Sequence, residues 1–231
     1  MDETVIVDNL RVHFLLEDTI VKAVDGVSFH VNKNETLALI GESGSGKSTL
    51  GKLLLMLIKP TSGEVYFNGL NLTKMRDREL RKIRQEMQLI PQHPEDALDP
   101  KWKIYDSMVE PLRIHKLVNG KSEEKELVYE LLEMVGLQEE HLNRYPHELS
   151  GGELQRVVIA RAISLNPKFI VCDEPTSMLD VSVQASIINL LLDLQKKLGL
   201  AYLFITHDLE IANVVADRIA VMHHGKIHKI S

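Results

Sequence analysis

Three short segments of this chain carry side chains suited to chemistry on phosphate. The first is Gly41-Glu42-Ser43-Gly44-Ser45-Gly46-Lys47-Ser48, followed by Thr49. Glycines at this spacing let successive backbone N–H groups turn inward around phosphate oxygens, and a helix starting there adds positive potential. In the pattern G-x-x-x-x-G-K-[ST], the P-loop, the ammonium of Lys47 reaches the β- and γ-phosphates of a nucleotide and the Ser48 hydroxyl ligates Mg²⁺. The second is the apolar run Phe169–Cys172, which ends on Asp173 and Glu174. A strand of this kind delivers carboxylates to the edge of an open α/β sheet, where ligands sit. Asp173 would hold Mg²⁺ through water, leaving Glu174 to orient and polarise an attacking water. A strand that simply runs into a solvated acidic turn would look the same; the neighbouring phosphate loop decides between them. The third is Leu149-Ser150-Gly151-Gly152-Glu153-Leu154-Gln155, where Ser150 and the N–H groups after it form a second anion site at a helix start. By itself it equally describes a helix cap followed by two flexible glycines.

The elements around these segments read as an alternating α/β chain. Thr36–Ile40 is a continuous apolar strand running straight into the glycines, and helical apolar spacing follows from Lys47 to Ile58. Before it, Val5–Val7 and Val27–Val31 read as strands, as does Glu64–Phe67 after it, with turn signals at Asp25-Gly26 and Asn68-Gly69. The middle, about 77 to 165, reads as mostly helix: Ser122 opens one helix that runs to about Val135, and Gly152–Leu165 forms another. Strand Phe169–Cys172, helix Val183–Leu198, strand Tyr202–Thr206, helix Leu209–Ala216 and strand Arg218–Met222 complete the pattern. Such alternation implies a mainly parallel sheet covered on both faces.

The 231 residues carry 27 Lys and Arg against 33 Asp and Glu, a net charge of −6. An acidic chain has no general electrostatic pull toward nucleic acid or anionic lipid. The single cysteine, Cys172, lies in a strand and reads as an inert core thiol, which suits a reducing compartment. No apolar stretch approaches the length of a membrane span, and the N-terminus lacks a signal-peptide pattern, so work at a membrane would go through a partner.

Leu149–Arg156 resembles the signature of ABC ATPases, and the resemblance covers almost the whole chain with the motifs in the family's order. Phe14 lies 33 residues before Lys47, as the family's adenine-stacking aromatic does. Gln92 resembles the Q-loop glutamine, Asp180 the D-loop aspartate and His207 the switch histidine. The resemblance implies one domain over 1–231. It would be an α/β P-loop NTPase fold with a mainly parallel sheet, an N-terminal antiparallel β part and a helical subdomain inserted at about 92–165. It also implies two such domains paired head to tail. ATP would then lie between Phe14, Gly41, Ser43, Gly44, Ser45, Gly46, Lys47, Ser48 and Thr49 of one and Ser150, Gly151, Gly152 and Asp180 of the other. Mg²⁺ would be held by Ser48, Gln92 and Asp173, and catalysis would rest on Glu174, His207, Gln92 and Lys47. The departures are small: Met178 stands where alanine is usual in the D-loop, and Phe14 replaces the commoner tyrosine.

Ile40–Ser48, Ala23–Phe29 and Pro91–Pro100 resemble the wording of the dipeptide, oligopeptide and nickel importer subfamily. The function this implies is an MgATP-hydrolysing subunit at the cytoplasmic face of a membrane. It would pair with a copy of itself or a related ATPase, act on two permeases and, indirectly, on an extracytoplasmic solute-binding protein. An exporter or another small-solute importer is the alternative. That subfamily usually continues past the last strand; the chain stops at Ile227–Ser231, which reads as a shortened chain or a short member. His223, His224 and His228 invite a metal reading, but exposed turn histidines are the simpler one. A P-loop kinase or GTPase would lack the Leu149–Gln155 segment and a switch histidine. A DNA-repair relative would carry a coiled coil between Gln92 and Ser150, where only 58 positions separate the two. Trp102, beside Leu98, Ile104 and Tyr105 on a proline-broken segment, reads as an anchor for the membrane partner, against a role in the helical core.

Overall fold

The computed structural model describes residues 3–16 and 19–231. Strands β1 (Glu3–Leu16) and β2 (Thr19–Asn32) form one long antiparallel ribbon, much longer than the short strands expected. The expected turn at Asp25-Gly26 is a correction. Leu10 faces Val27 and Arg11 faces Asp25, so Gly26, at φ +78°, is the extra residue of a bulge inside β2. A bulge and a tight turn ask for the same left-handed residue, which is why the dipeptide misleads.

β3 (Thr36–Ile40) leads through the glycine-rich loop into α1 (Lys47–Leu54), then β4 (Ser62–Phe67) and β5 (Leu70–Asn71), with Asn68-Gly69 turning between them. α1 stops four residues before the expected Ile58. Met56, at φ +51°, closes it in place of glycine, with Leu57 N–H donating to Lys52 C=O at 2.9 Å. The Arg84 guanidinium takes the last carbonyls, donating to Leu55 O at 3.2 Å and to Met56 O. This stop is written in Arg84, not in the helix itself.

α2 (Asp77–Ile83) is followed by β6 (Met87–Ile90), a strand hidden in a stretch expected to be helical. α3 (Ile104–Ile114), α4 (Lys121–Val135) and α5 (Gly151–Ile163) come next. α4 begins after Gly120, one residue ahead of Ser122, which makes no cap. β7 (Phe169–Asp173), α6 (Val181–Leu198), β8 (Ala201–Thr206), α7 (Leu209–Val215), β9 (Arg218–His223) and β10 (Lys226–Ile230) end the chain. β10, an antiparallel edge strand, was not anticipated either.

Two sheets result. The antiparallel one has the order β2-β1-β4-β5, and the other runs β10-β9-β3-β8-β7-β6 with every pair but β10–β9 parallel. The period-two alternation of the central strands divides the core. Ile170, Cys172, Tyr202 and Phe204 face the helices α3–α6. Phe169, Val171, Leu203 and Ile205 face α1 and the antiparallel sheet. Buried polar ties lock the helical layer: Glu124 accepts from Arg113 Nε, Arg113 Nη2 and Tyr105 OH, each at 2.7 Å. Among the described residues no helix is long and apolar enough to cross a membrane.

Candidate functional site

The order β3-β8-β7-β6 brings four strand ends to one edge. Because these strands are parallel, the loop after β3, His207 after β8, Asp173 and Glu174 at the end of β7 and Gln92 after β6 gather there. None of these groups is close in sequence to another except the two carboxylates.

The loop is built around close backbone approaches. Gly46, which precedes α1 at φ +106°, would place a Cβ 2.1 Å from Ala23 O, so only glycine fits. Lys47 is 5% exposed, and its Nζ donates to Gly41 O at 2.8 Å and Glu42 O at 2.9 Å. Burial lowers its pKa, while Glu174 and Asp173 work the other way. Ser48 Oγ donates to Asp173 Oδ1 at 2.8 Å. Burial raises the Asp173 pKa, and the Ser48 bond and nearby lysines resist that rise. Ser45 Oγ is buried with no partner among the described residues.

Glu174 takes the left-handed region at φ +47°, unusual for a non-glycine residue, and its N–H donates to Ile205 O at 3.0 Å. Its Oε2 lies 3.0 Å from His207 Nδ1 and accepts from Gln92 Nε2 at 3.4 Å. Three side chains from three strand ends thus meet on one carboxylate oxygen.

Above them opens a cavity of about 770 Å³. Ser43, Gly44, Gly46, Lys47, Ser48, Thr49, Gln92, Glu174 and His207 line it, as the sequence suggests. So do Ile20–Ala23 of β2 and His224-Gly225 of the β9–β10 turn, which sequence reasoning did not place there. No spacing rule links this strand segment to that turn; Gly225 is stitched in by Asp25 N–H to its C=O at 2.8 Å and its own N–H to Ser45 O at 3.0 Å. Phe14 does not line the cavity, but it stands opposite Val21, which does, so the two share a face of the ribbon.

Ser150, Gly151, Gly152 and Asp180 also lie outside this cavity. Ser150 caps α5 in a capping box: its N–H and Oγ both donate to Glu153 Oε2 at 2.8 Å, and its Oγ accepts from Glu153 N–H at 3.4 Å. A Cβ on Gly152 would meet Val183 Cγ1 at 2.6 Å, so packing against α6 demands glycine there too. Asp180 precedes α6 without making a capping hydrogen bond. His223 and His224 meet with ring centroids 4.0 Å apart and planes tilted by 54°, and the described residues hold no group of three His, Cys, Asp or Glu side chains able to take a metal.

The donors fit a metal–nucleotide complex. Ser48 and Asp173 offer hard oxygens of the kind Mg²⁺ prefers, and the orphaned Ser45 hydroxyl sits in the loop meant for phosphate. A phosphate loop with a strand-end carboxylate within reach is the arrangement of P-loop nucleotide hydrolases, and the chain falls in that class.

Comparison with known proteins narrows it. The sequence profile described as ABC transporter matches residues 24–177. The oligopeptide transport ATP-binding protein OppF of Bacillus subtilis (strain 168) is 49% identical over 226 residues, 97% of this chain and 74% of that protein. The glutathione import ATP-binding protein GsiA of Escherichia coli (strain K12) is 50% identical over 210 residues, 91% of this chain and 34% of its own length. Among solved structures, the ATP-binding cassette MJ0796 in a dimeric post-hydrolysis state with ADP and Pi superposes with a TM-score of 0.90. Its identity is 31%, with 98% of this chain and 97% of that one covered. The chain belongs to the ABC transporter family. Within it the chain is an ATPase cassette that works with ATP and Mg²⁺.

Proposed function

We propose that this chain drives a peptide importer, and that Glu174 is the group that readies water for attack on ATP. The observation that carries the catalytic part is the meeting of Gln92 and His207 on Glu174 Oε2 beside the phosphate loop. The names of the relatives, oligopeptide and glutathione transport proteins, support peptides over nickel as the cargo.

Hydrolysis is an in-line attack of water on the γ-phosphate, and the protein contributes mainly positioning and charge stabilisation. Lys47, held on the Gly41 and Glu42 carbonyls, is placed to exchange them for β- and γ-phosphate oxygens. Ser48, Asp173 and Gln92 would hold Mg²⁺, whose charge helps neutralise the phosphates. Glu174 orients the water and accepts its proton. His207 and Gln92 fix that carboxylate and lie where the γ-phosphate would end. Phe14 stacks the base beside Val21. Ser150–Gly152 and Asp180, remote from the cavity of their own chain, complete the site of a paired copy or related subunit.

Docking to two permeases would place the chain on the cytoplasmic face of the membrane, with an extracytoplasmic solute-binding protein acting indirectly. Trp102, 40% exposed and lining two adjoining cavities with Glu110, is the anchor we assign to that contact. The cassette is assigned to a single domain, 1–231, with its helical part at about 92–165. The test is transport. In cells lacking this gene, uptake of a labelled oligopeptide is restored by the native chain and not by Lys47→Ala. Normal uptake in the deletion, with a defect in efflux instead, would favour an exporter.

A further inference from the structure

One wall of the cavity comes from none of the three phosphate-handling segments: the turn His224-Gly225 between β9 and β10. His223 and Lys226 pair across the end of that hairpin, so the loop is these two residues alone, at φ +46° and φ +77°. Both positions are left-handed, and Asn-Gly or Gly-Gly are the favoured pairs for such a turn. The turn itself therefore gives no reason for an imidazole. It is also held firmly in place. Gly225 N–H donates to Ser45 O in the phosphate loop at 3.0 Å, and Gly225 C=O accepts from Asp25 N–H of β2 at 2.8 Å. A Cβ on Gly225 would lie 2.6 Å from Lys22 O, so the turn is pressed against the backbone of β2. Lys22 follows Val21, and Val21 faces Phe14. His224 thus stands between the Phe14–Val21 face, read as the seat of the base, and the loop that takes the phosphates. The part of a nucleotide that joins base to phosphates is the sugar.

A ribose brings two hydroxyls, and a hydroxyl taken out of water needs a partner. On this side of the cavity Ile20, Val21 and Ala23 offer apolar side chains, and Gly225 has none. Lys22 is turned toward a carboxylate, with its Nζ 3.8 Å from Asp25 Oδ2. His224 is exposed and lines the cavity, its ring resting against that of His223 with centroids 4.0 Å apart. A neutral imidazole has one nitrogen that donates and one that accepts, and a hydroxyl can do both. The pair can therefore bond in either tautomer of the ring.

We propose that His224 is a specificity-determining residue of the nucleotide site: its imidazole hydrogen-bonds a ribose hydroxyl and makes the cavity prefer ribonucleotides to deoxyribonucleotides. The proposal rests on the reading of Phe14 as the base-stacking residue. One neutral hydrogen bond changes affinity by about two- to tenfold.

The experiment measures equilibrium binding of ADP, 2′-deoxyADP and 3′-deoxyADP, each with Mg²⁺ and at one fixed pH, to the full chain. ADP carries the base and sugar of ATP without the γ-phosphate, so no hydrolysis disturbs the reading. The native chain should bind ADP about two- to tenfold more tightly than at least one of the deoxy forms. His224→Gly suits φ +46° and removes the ring. It should bind ADP more weakly by that factor and the deoxy form as before, which brings their ratio to about one. A native chain that binds all three probes alike overturns the proposal. So does a preference for ADP that persists in His224→Gly, as it would if the ring touched a phosphate and all three probes weakened equally. Thermal melts run alongside. Should His224→Gly melt early, His224→Asn decides by the same ratio, since asparagine is at home in this turn and its amide is shorter than the ring. Phe14→Ala should weaken all three probes alike and keep the native ratio. Unchanged affinity there refutes the stacking reading alone, because the ratio by itself decides His224.

Discussion

Gly152→Ala separates two reasons for a glycine at the start of α5. The new Cβ would lie 2.6 Å from Val183 Cγ1, closer than real carbon contacts allow, so α5 or α6 must shift. Overpacking of this kind costs about 1–3 kcal/mol. Val183 is only partly buried near the start of α6, and some shift is available there, which points to roughly 2 kcal/mol. For a chain of this size that is a fall of roughly 4–8 °C in Tm. Val183→Ala by itself removes two methyl groups from a half-buried position and should cost about 1 kcal/mol. In the double variant the room reappears, so the two losses should not add, and stability should return to near that of Val183→Ala. Thermal melts and urea titrations of the four proteins read this cycle. ATPase activity of the same four then divides the roles: if the glycine also lets a phosphate approach the backbone, the double variant regains stability but stays slow. A stable Gly152→Ala, or strictly additive losses, would refute the packing argument; a fully active double variant would leave packing as the glycine's only role.

The Glu124 carboxylate, held by Arg113 and Tyr105, has its pKa lowered chiefly by the Arg113 bond. A lowered folded value stabilises above the ordinary glutamate range, and that stabilisation disappears as pH falls through the lowered value. Glu124→Gln should therefore cost about 1–3 kcal/mol at neutral pH and progressively less in acid, read by urea unfolding across pH. Cys172 is fully buried, and burial drives its thiol pKa well up. A thiol reagent should leave native protein unmodified and react fully once the chain is unfolded, with rapid native labelling counting against the buried strand. Ser48→Ala removes the donor that restrains the pKa of Asp173. The Mg²⁺ concentration needed for half-maximal ATPase should rise by roughly tenfold or more, and an unchanged Mg²⁺ requirement would remove Ser48 from the metal site.

What the sequence made legible was local. The run from Thr36 to Lys47 states strand, loop and helix in order, and the structure places them so. Strand β7 was plain as an apolar run, but its two terminal acids took on meaning only beside the phosphate loop, since a solvated turn would read the same. What stayed hidden depends on distant partners. β6 is four residues long and is a strand because β7 offers an open edge. The end of α1 depends on Arg84, some thirty positions away, and on a methionine doing what glycine usually does. The cavity wall from Ile20–Ala23 and His224-Gly225 comes from a strand and a distant turn joined only by the fold.

The most direct test of the central claim is a comparison of the native chain with Glu174→Gln in two assays on the same preparation. One is equilibrium binding of MgATP, and the other is a single-turnover measurement of phosphate release. Gln keeps the shape that meets His207 and Gln92 but cannot take a proton from water. The account predicts ATP affinity within about threefold of native and hydrolysis slowed by at least roughly a hundredfold, the scale of a lost general base. Hydrolysis at a near-native rate with intact binding would contradict it and remove Glu174 from the chemistry.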